Sequence, residues 1–168
     1  MVSIFKKRNA EKELEETKVR QLKAYVSGNV IPIEEVSDPV FSQKALGGGV
    51  AIVPVENVIT SPCDGVISAA MEDTKHAVGI TSMDGMEILI HEGLETVSMG
   101  GSGFELYVKE GQLIKTGDKL IGFDPVKILE SGCETICIMA ISNQGEYSDL
   151  SFKTDMVAEQ GVTVIATY

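Results

Sequence analysis

Short β-prone runs, each cut off by glycine within a few residues, occupy this chain from Gly28 onward and leave little room for any architecture other than antiparallel sheet. All 17 glycines of the 168 residues lie at or beyond Gly28. The runs 50–53, 65–70, 76–81, 86–91, 104–108, 119–123, 134–141 and 162–166 recur about every 10 to 15 residues, and few of the intervening segments carry a helical period. The predicted fold is therefore all-β, an antiparallel barrel or sandwich with at most short helical turns. One such turn is predicted at 126–129, with Asp124 as its N-cap and Pro125 at the first helical position.

Charge divides the chain in two. The first 23 residues hold seven Lys/Arg against four Glu, whereas the whole chain has a formal charge of -11, so the remainder carries -14. Residues 1–24 read as a basic leader and 25–168 as the domain. So acidic a body repels phosphate backbones, which argues against nucleic-acid binding, and it steers a basic protein partner inward. Residues 5–22 lack Gly and Pro and are rich in Lys and Glu, as in a solvated helix. Met1, Val2, Ile4 and Phe5 directly precede Lys6, Lys7 and Arg8, a pattern suited to weak contact with a membrane surface. No apolar run approaches the roughly 18 residues of a spanning helix and no secretory signal is visible, so the expected location is the cytoplasm. Cys63, Cys133 and Cys137 make an odd count without a CxxC pair, which fits neither a disulfide framework nor a zinc ribbon.

The only two histidines, His76 and His91, fall on the two arms of a predicted hairpin whose turn contains Asp84-Gly85. A four-residue loop at 82–85 places them directly opposite one another, and a two-residue Asp84-Gly85 turn places them diagonally on one face. A three-residue loop would put them on opposite faces. Directly paired residues have Cβ atoms about 4.5–5.5 Å apart, so two imidazoles sharing a site leave metal binding, acid–base catalysis and phosphoryl carriage open. Asp73 and Glu95 lie near in sequence, but no HxH, HExxH or Cys/His spacing supplies a third metal ligand. Cys133 and Cys137 read as small core residues.

The segment Glu87-Ile-Leu-Ile-His91-Glu-Gly93-Leu-Glu-Thr-Val97, followed by Gly101-Ser-Gly103-Phe104, resembles the active-site segment of glucose-family enzyme IIA domains of the bacterial phosphoenolpyruvate:sugar phosphotransferase system. Further motifs follow in the family's order: Gly28 to Val36, Asp38-Pro-Val-Phe41-Ser-Gln-Lys44, Gly47 to Ile52, Pro62-Cys-Asp64-Gly65, 108–124 and Ile141-Ser-Asn143. The resemblance covers residues 25–166. It implies a fold of the duplicated-hybrid-motif type and a cytosolic phosphocarrier that takes a phosphoryl group from phospho-HPr and passes it to a cysteine of a sugar-specific IIB domain. It makes His91, at the histidine of HxGxxTV, the acceptor (a tele-phosphohistidine), His76 the second active-site histidine that donates to the phosphoryl oxygens, Thr74 its hydrogen-bond partner, and Gly93 the glycine whose carbonyl orients the acceptor ring. Val40, Phe41 and Leu46 fall where the family has an apolar partner-binding rim, and Glu92 and Glu95 border it. Glu92 departs from the apolar residue usual after the acceptor, and Glu95 from the usual Asp. In a strand Glu92 points away from His91, yet it remains an expected influence on partner choice.

The same resemblance allows a mainly regulatory alternative, in which the protein binds transporters or kinases according to its phosphorylation state. It implies no cofactor and no intrinsic metal, although His76 and His91 with a partner's carboxylate make a zinc site at an interface conceivable. Two other classes fit less well. A lysostaphin-like zinc peptidase needs an HxH and a further His/Asp pair that the chain lacks. A biotinyl or lipoyl carrier needs a lysine in a Met-Lys-Met or Asp-Lys-Ala tip, which the turn signals near Gly111 and Gly117 do not provide.

Overall fold

The computed structural model describes residues 19–168. Among the described residues fourteen strands are formed: β1 (Gln21–Lys23), β2 (Gly28–Pro32), β3 (Gly48–Pro54), β4 (Val58–Thr60), β5 (Gly65–Ala70), β6 (Ala77–Ser82), β7 (Glu87–Leu94), β8 (Phe104–Leu106), β9 (Leu113–Ile114), β10 (Lys119–Phe123), β11 (Glu134–Asn143), β12 (Ser151–Phe152), β13 (Met156–Ala158) and β14 (Val164–Thr167). Eight of them make one antiparallel sheet in the order β13-β2-β3-β11-β7-β6-β5-β9, and two three-stranded sheets, β1-β14-β12 and β4-β10-β8, complete the structure. The expected antiparallel all-β class holds. No helix among the described residues is long and apolar enough to cross a membrane.

The helices are single turns with legible starts. Pro125–Glu130 is capped by the Asp124 carboxylate, which accepts from the backbone N–H groups of Val126 and Lys127. Pro39–Ser42 has the same Asp-Pro signature, with Asp38 accepting from Val40 N–H at 2.8 Å, but no helix was expected there.

Two apolar clusters lie on opposite faces of the large sheet. The main core gathers Tyr25, Val50, Ile52, Ile80, Ile88, Ile90, Leu120 and Ile121 with many others, all fully or almost fully buried. A smaller cluster, Ile33, Val36, Phe41, Ala51, Leu94, Ile136, Ile138 and Ala140, sits on the other face beneath the short helix Pro39–Ser42. Residues near the middle of the sheet are thus enclosed from both sides, and a polar side chain there needs a partner or must lose its charge.

Two expectations change. Gln21–Lys23, assigned to the leader, is a strand paired with β14, and Leu22 is fully buried, so the ordered body begins before residue 25. The basic composition up to Lys23 conceals a single apolar residue that anchors this edge. The expected helix at 5–22 is absent over its described end, while its earlier part and the proposed membrane contact lie outside the described residues.

The second change concerns the histidine hairpin. Ala77 pairs with His91 and Thr81 with Glu87, and Ser82 N–H donates to the Met86 carbonyl, so the loop is the three-residue 83–85 with Gly85 at φ +91. That is the register expected to separate the histidines. They meet nevertheless, because β6 begins only at Ala77: Lys75 has a left-handed φ of +56 and His76 sits in a bend, outside the alternation of the strand.

Candidate active site

Strand β7 sorts its side chains by parity. Ile88, Ile90 and Glu92 enter the main core, whereas Glu87, Leu89 and His91 face the other side. His91 stands in the ladder between Ala77 of β6 and Ile138 of β11, with Ala51 of β3 next in line. These small or aliphatic neighbours form an apolar floor. Phe41 closes one flank, its ring meeting the His91 ring at 5.0 Å and 63°. His76 closes another, at 4.7 Å and 85°.

The surroundings determine which nitrogens are free. His76 Nδ1 is 2.8 Å from the Thr74 hydroxyl. His91 Nδ1 is enclosed and falls short of a full hydrogen bond, so the accessible side of this half-buried ring carries Nε2. Burial, followed by the neighbouring His76, pushes the His91 pKa down to about 4, while the Gly93 backbone and Asp38 pull the other way. The Gly93 backbone, two residues on, is thus the main group that offsets the effect of burial on the ring. Burial alone lowers His76. Both rings are neutral at pH 7, each with one nitrogen lone pair available.

The turn after His91 is tightly determined. Gly93 has φ +73, and a Cβ there would stand 2.4 Å from Thr96 Cγ2 and 2.6 Å from the Glu134 carbonyl oxygen. Only glycine fits this position. Glu95, also left-handed at φ +61, precedes the 3-10 turn Thr96–Met99.

Of the residues expected in the site, His76, Thr74, His91, Gly93 and Phe41 come together. Val40 and Leu46 are exposed near the buried Phe41, at 47% and 38%, and Val97, which had not been singled out for the rim, is exposed at 56%. Glu95 is exposed and borders a depression shared with Ser37, Asp38 and Glu134. Glu92 is a correction: it does not belong to the rim. It is fully buried on the opposite face, where its carboxylate oxygen accepts from the Cys137 thiol at 2.7 Å, and burial pushes its pKa up to about 8. Glu92 is therefore mainly protonated at pH 7 and adds no charge to the surface. Asp38 and Thr96 were overlooked as contributors. Asp38 was legible from its Asp-Pro pair, while the part played by Thr96 depends on a turn that spacing does not reveal.

Among the described residues no third His, Cys, Asp or Glu joins the two imidazoles as a metal cluster. The geometry instead offers a nucleophilic nitrogen, a second neutral imidazole and a hydroxyl on an apolar floor, which suits transfer of a charged group between docked partners.

Comparison with known proteins identifies the family. The model of the phosphoenolpyruvate-dependent sugar phosphotransferase system EIIA 1 family matches residues 20–147. The chain is 47% identical over 142 residues to the PTS system glucose-specific EIIA component of Bacillus cereus, covering 84% of this chain and 86% of that one. It is 38% identical over 165 residues to the Haemophilus influenzae protein of the same name, covering 97% and 98%. Among solved structures, glucose permease IIA from Mycoplasma capricolum superposes with a TM-score of 0.81 at 34% identity, over 90% of this chain and 96% of that one. With the family model spanning the histidine hairpin and every strand from β1 to β11, this chain belongs to the EIIA 1 family of the phosphoenolpyruvate-dependent sugar phosphotransferase system.

Proposed function

We propose that this protein is a phosphohistidine carrier, in which His91 Nε2 accepts a phosphoryl group from phospho-HPr and delivers it to a cysteine of a sugar-specific IIB domain. The observation that carries this reading is the pair of neutral imidazoles in ring contact, with His91 Nδ1 enclosed and His76 Nδ1 beside the Thr74 hydroxyl.

The Gly93 carbonyl favours hydrogen on His91 Nδ1, leaving the Nε2 lone pair to attack phosphorus. The P–N bond of the donor phosphohistidine breaks as the P–Nε2 bond forms. In the second transfer that P–N bond breaks as the cysteine thiolate forms P–S, and the electron pair returns to His91. With the Thr74 hydroxyl donating to His76 Nδ1, the His76 hydrogen resides on Nε2, where it can donate to phosphoryl oxygens. Phe41 against the His91 ring, with Val40 and Leu46 exposed on the chain around it, provides an apolar rim that excludes water once a partner docks. The exposed acids Glu72, Asp73 and Glu95, together with Asp38, favour a basic docking surface on HPr.

Incubation with labelled phosphoenolpyruvate, enzyme I and HPr should yield an acid-labile, base-stable phosphate on the protein, abolished by His91→Ala. Absence of label, or undiminished label in the variant, would overturn the assignment.

A further inference from the structure

Thr96 is a fully buried polar residue behind the site, and both ends of its side chain touch the turn that follows His91. Its hydroxyl donates to the Glu92 carbonyl at 2.7 Å. Its methyl occupies the space that a Cβ on Gly93 would need. The Glu92 N–H donates to the His76 carbonyl, also at 2.7 Å, so one backbone unit between His91 and Gly93 is tied to the second histidine on one side and to Thr96 on the other. The peptide joining Glu92 to Gly93 is thereby clamped: its oxygen is held by the hydroxyl, and its α-carbon at Gly93, with φ +73, is pressed by the methyl. Glu95 keeps a left-handed φ of +61 so that Thr96 can fold back, a conformation that a non-glycine residue retains only when its surroundings demand it.

We propose that Thr96 is a positioning residue for phosphoryl transfer: with its hydroxyl on the Glu92 carbonyl and its methyl against Gly93 it fixes the turn at Gly93, and with it the direction of the carbonyl of the following peptide, that of Gly93, which favours hydrogen on His91 Nδ1. Without that carbonyl the neutral ring shifts toward the tautomer bearing hydrogen on Nε2, which has no lone pair for phosphorus. Thr96 acts through the backbone and touches neither phosphate nor partner. The inference rests on the carrier reading for its effect on rate, whereas its effect on the His91 tautomer does not depend on any partner.

Thr96→Ser keeps the hydroxyl and loses the methyl, and Thr96→Ala loses both, so their comparison isolates the hydrogen bond. Two quantities are read: the rate of phosphorylation by phospho-HPr, and the ¹⁵N shifts of the His91 ring nitrogens at pH 7. The Ser variant should stay within about twofold of wild type in rate and keep its ring shifts. The Ala variant should lose about tenfold or more in rate, as misorientation of a reacting group does, and its Nδ1 resonance should move toward the value of an unprotonated nitrogen. Equal ring shifts in Ser and Ala variants would overturn the proposal, because a purely structural Thr96 would lower stability without changing the tautomer. Should the Ala variant fail to fold, the isosteric Thr96→Val takes its place. The wild-type protein provides a further check: the Thr96 hydroxyl proton should exchange slowly with solvent, and rapid exchange would also overturn the assignment. A wild type that accepts no phosphate would sink the carrier reading while leaving the tautomer comparison decisive for Thr96.

Discussion

His91 needs to be a good nucleophile while remaining uncharged, and its surroundings supply both conditions. Burial beside His76 depresses its pKa from an ordinary 6.5 to about 4, so the neutral ring persists through the whole physiological range. The sign follows: acceptor competence should be flat from pH 8 to about 5 and should fall as the pH drops through about 4. An NMR titration of the ring resonances should give a midpoint near 4, and one at 6.5 would show that the ring is not enclosed. The depressed pKa also means that the unfolded chain binds a proton more readily than the folded one below pH 6.5, so this residue contributes to acid destabilisation between about pH 6.5 and 4. In the proposed carrier mechanism His76 supplies a fixed N–H rather than a bond to phosphorus. Its replacement by Gln, which keeps a donor but cannot reproduce the imidazole's reach, should slow transfer about a hundredfold with an unchanged melting temperature. Equal transfer rates would remove His76 from the mechanism. The two histidines were legible as a pair from their rarity and their hairpin, but Asp38, two residues outside the apolar rim motif, acts on His91 only because the short helix Pro39–Ser42 folds over the ring.

Strand β7 carries the site on one face and a buried acid on the other. Glu92 illustrates how much parity alone can say: alternation turns it away from His91, but only the packed second face shows that it is sealed against Cys137 with one oxygen lacking a partner. Its folded pKa of about 8 lies above the unfolded value of 4.5. The stability that depends on this protonated carboxyl is therefore complete below about pH 4.5, declines as the pH rises, and is lost beyond about pH 8, while the rest of the folding free energy is unaffected. Glu92→Gln should leave stability at pH 4 nearly unchanged and raise it by a few kcal/mol at pH 8. Urea denaturation at the two pH values checks this, and parallel stability curves for the variant and wild type would contradict it. At the end of the same strand, Gly93→Ala should destabilise by about 2–4 kcal/mol, because the new methyl meets Thr96 and the Glu134 carbonyl in a left-handed backbone. The hairpin joining β6 and β7 shows the limit of pattern reading in the other direction. Asp84-Gly85 located the turn, but loop length set the register, and the observed three-residue loop would separate the histidines had β6 continued through His76.

The charge of the molecule is uneven in a way that bears on its encounters. With Glu92 neutral in the interior, the negative field near His91 comes from Asp38, Glu72, Asp73 and Glu95 at the surface. Transfer from phospho-HPr should accordingly be steered: its second-order rate should fall about tenfold between 50 and 500 mM salt, and Asp38→Asn should weaken that dependence. A salt-independent rate would assign docking to the apolar residues alone. Local pattern was sufficient for the all-β class, the Asp-Pro helix start at Asp124, the acidic body and the choice of the two histidines as candidates, because turn chemistry, β-propensity and side-chain ionisation are properties of short segments. The contact between the rings, the burial of Glu92, the inclusion of Leu22 in the body and the clamp of Thr96 on Gly93 arise only when the large sheet and the sheets packed with it are assembled in register. They depend on which distant residues close each face of the sheet, and spacing along the chain carries no record of that closure.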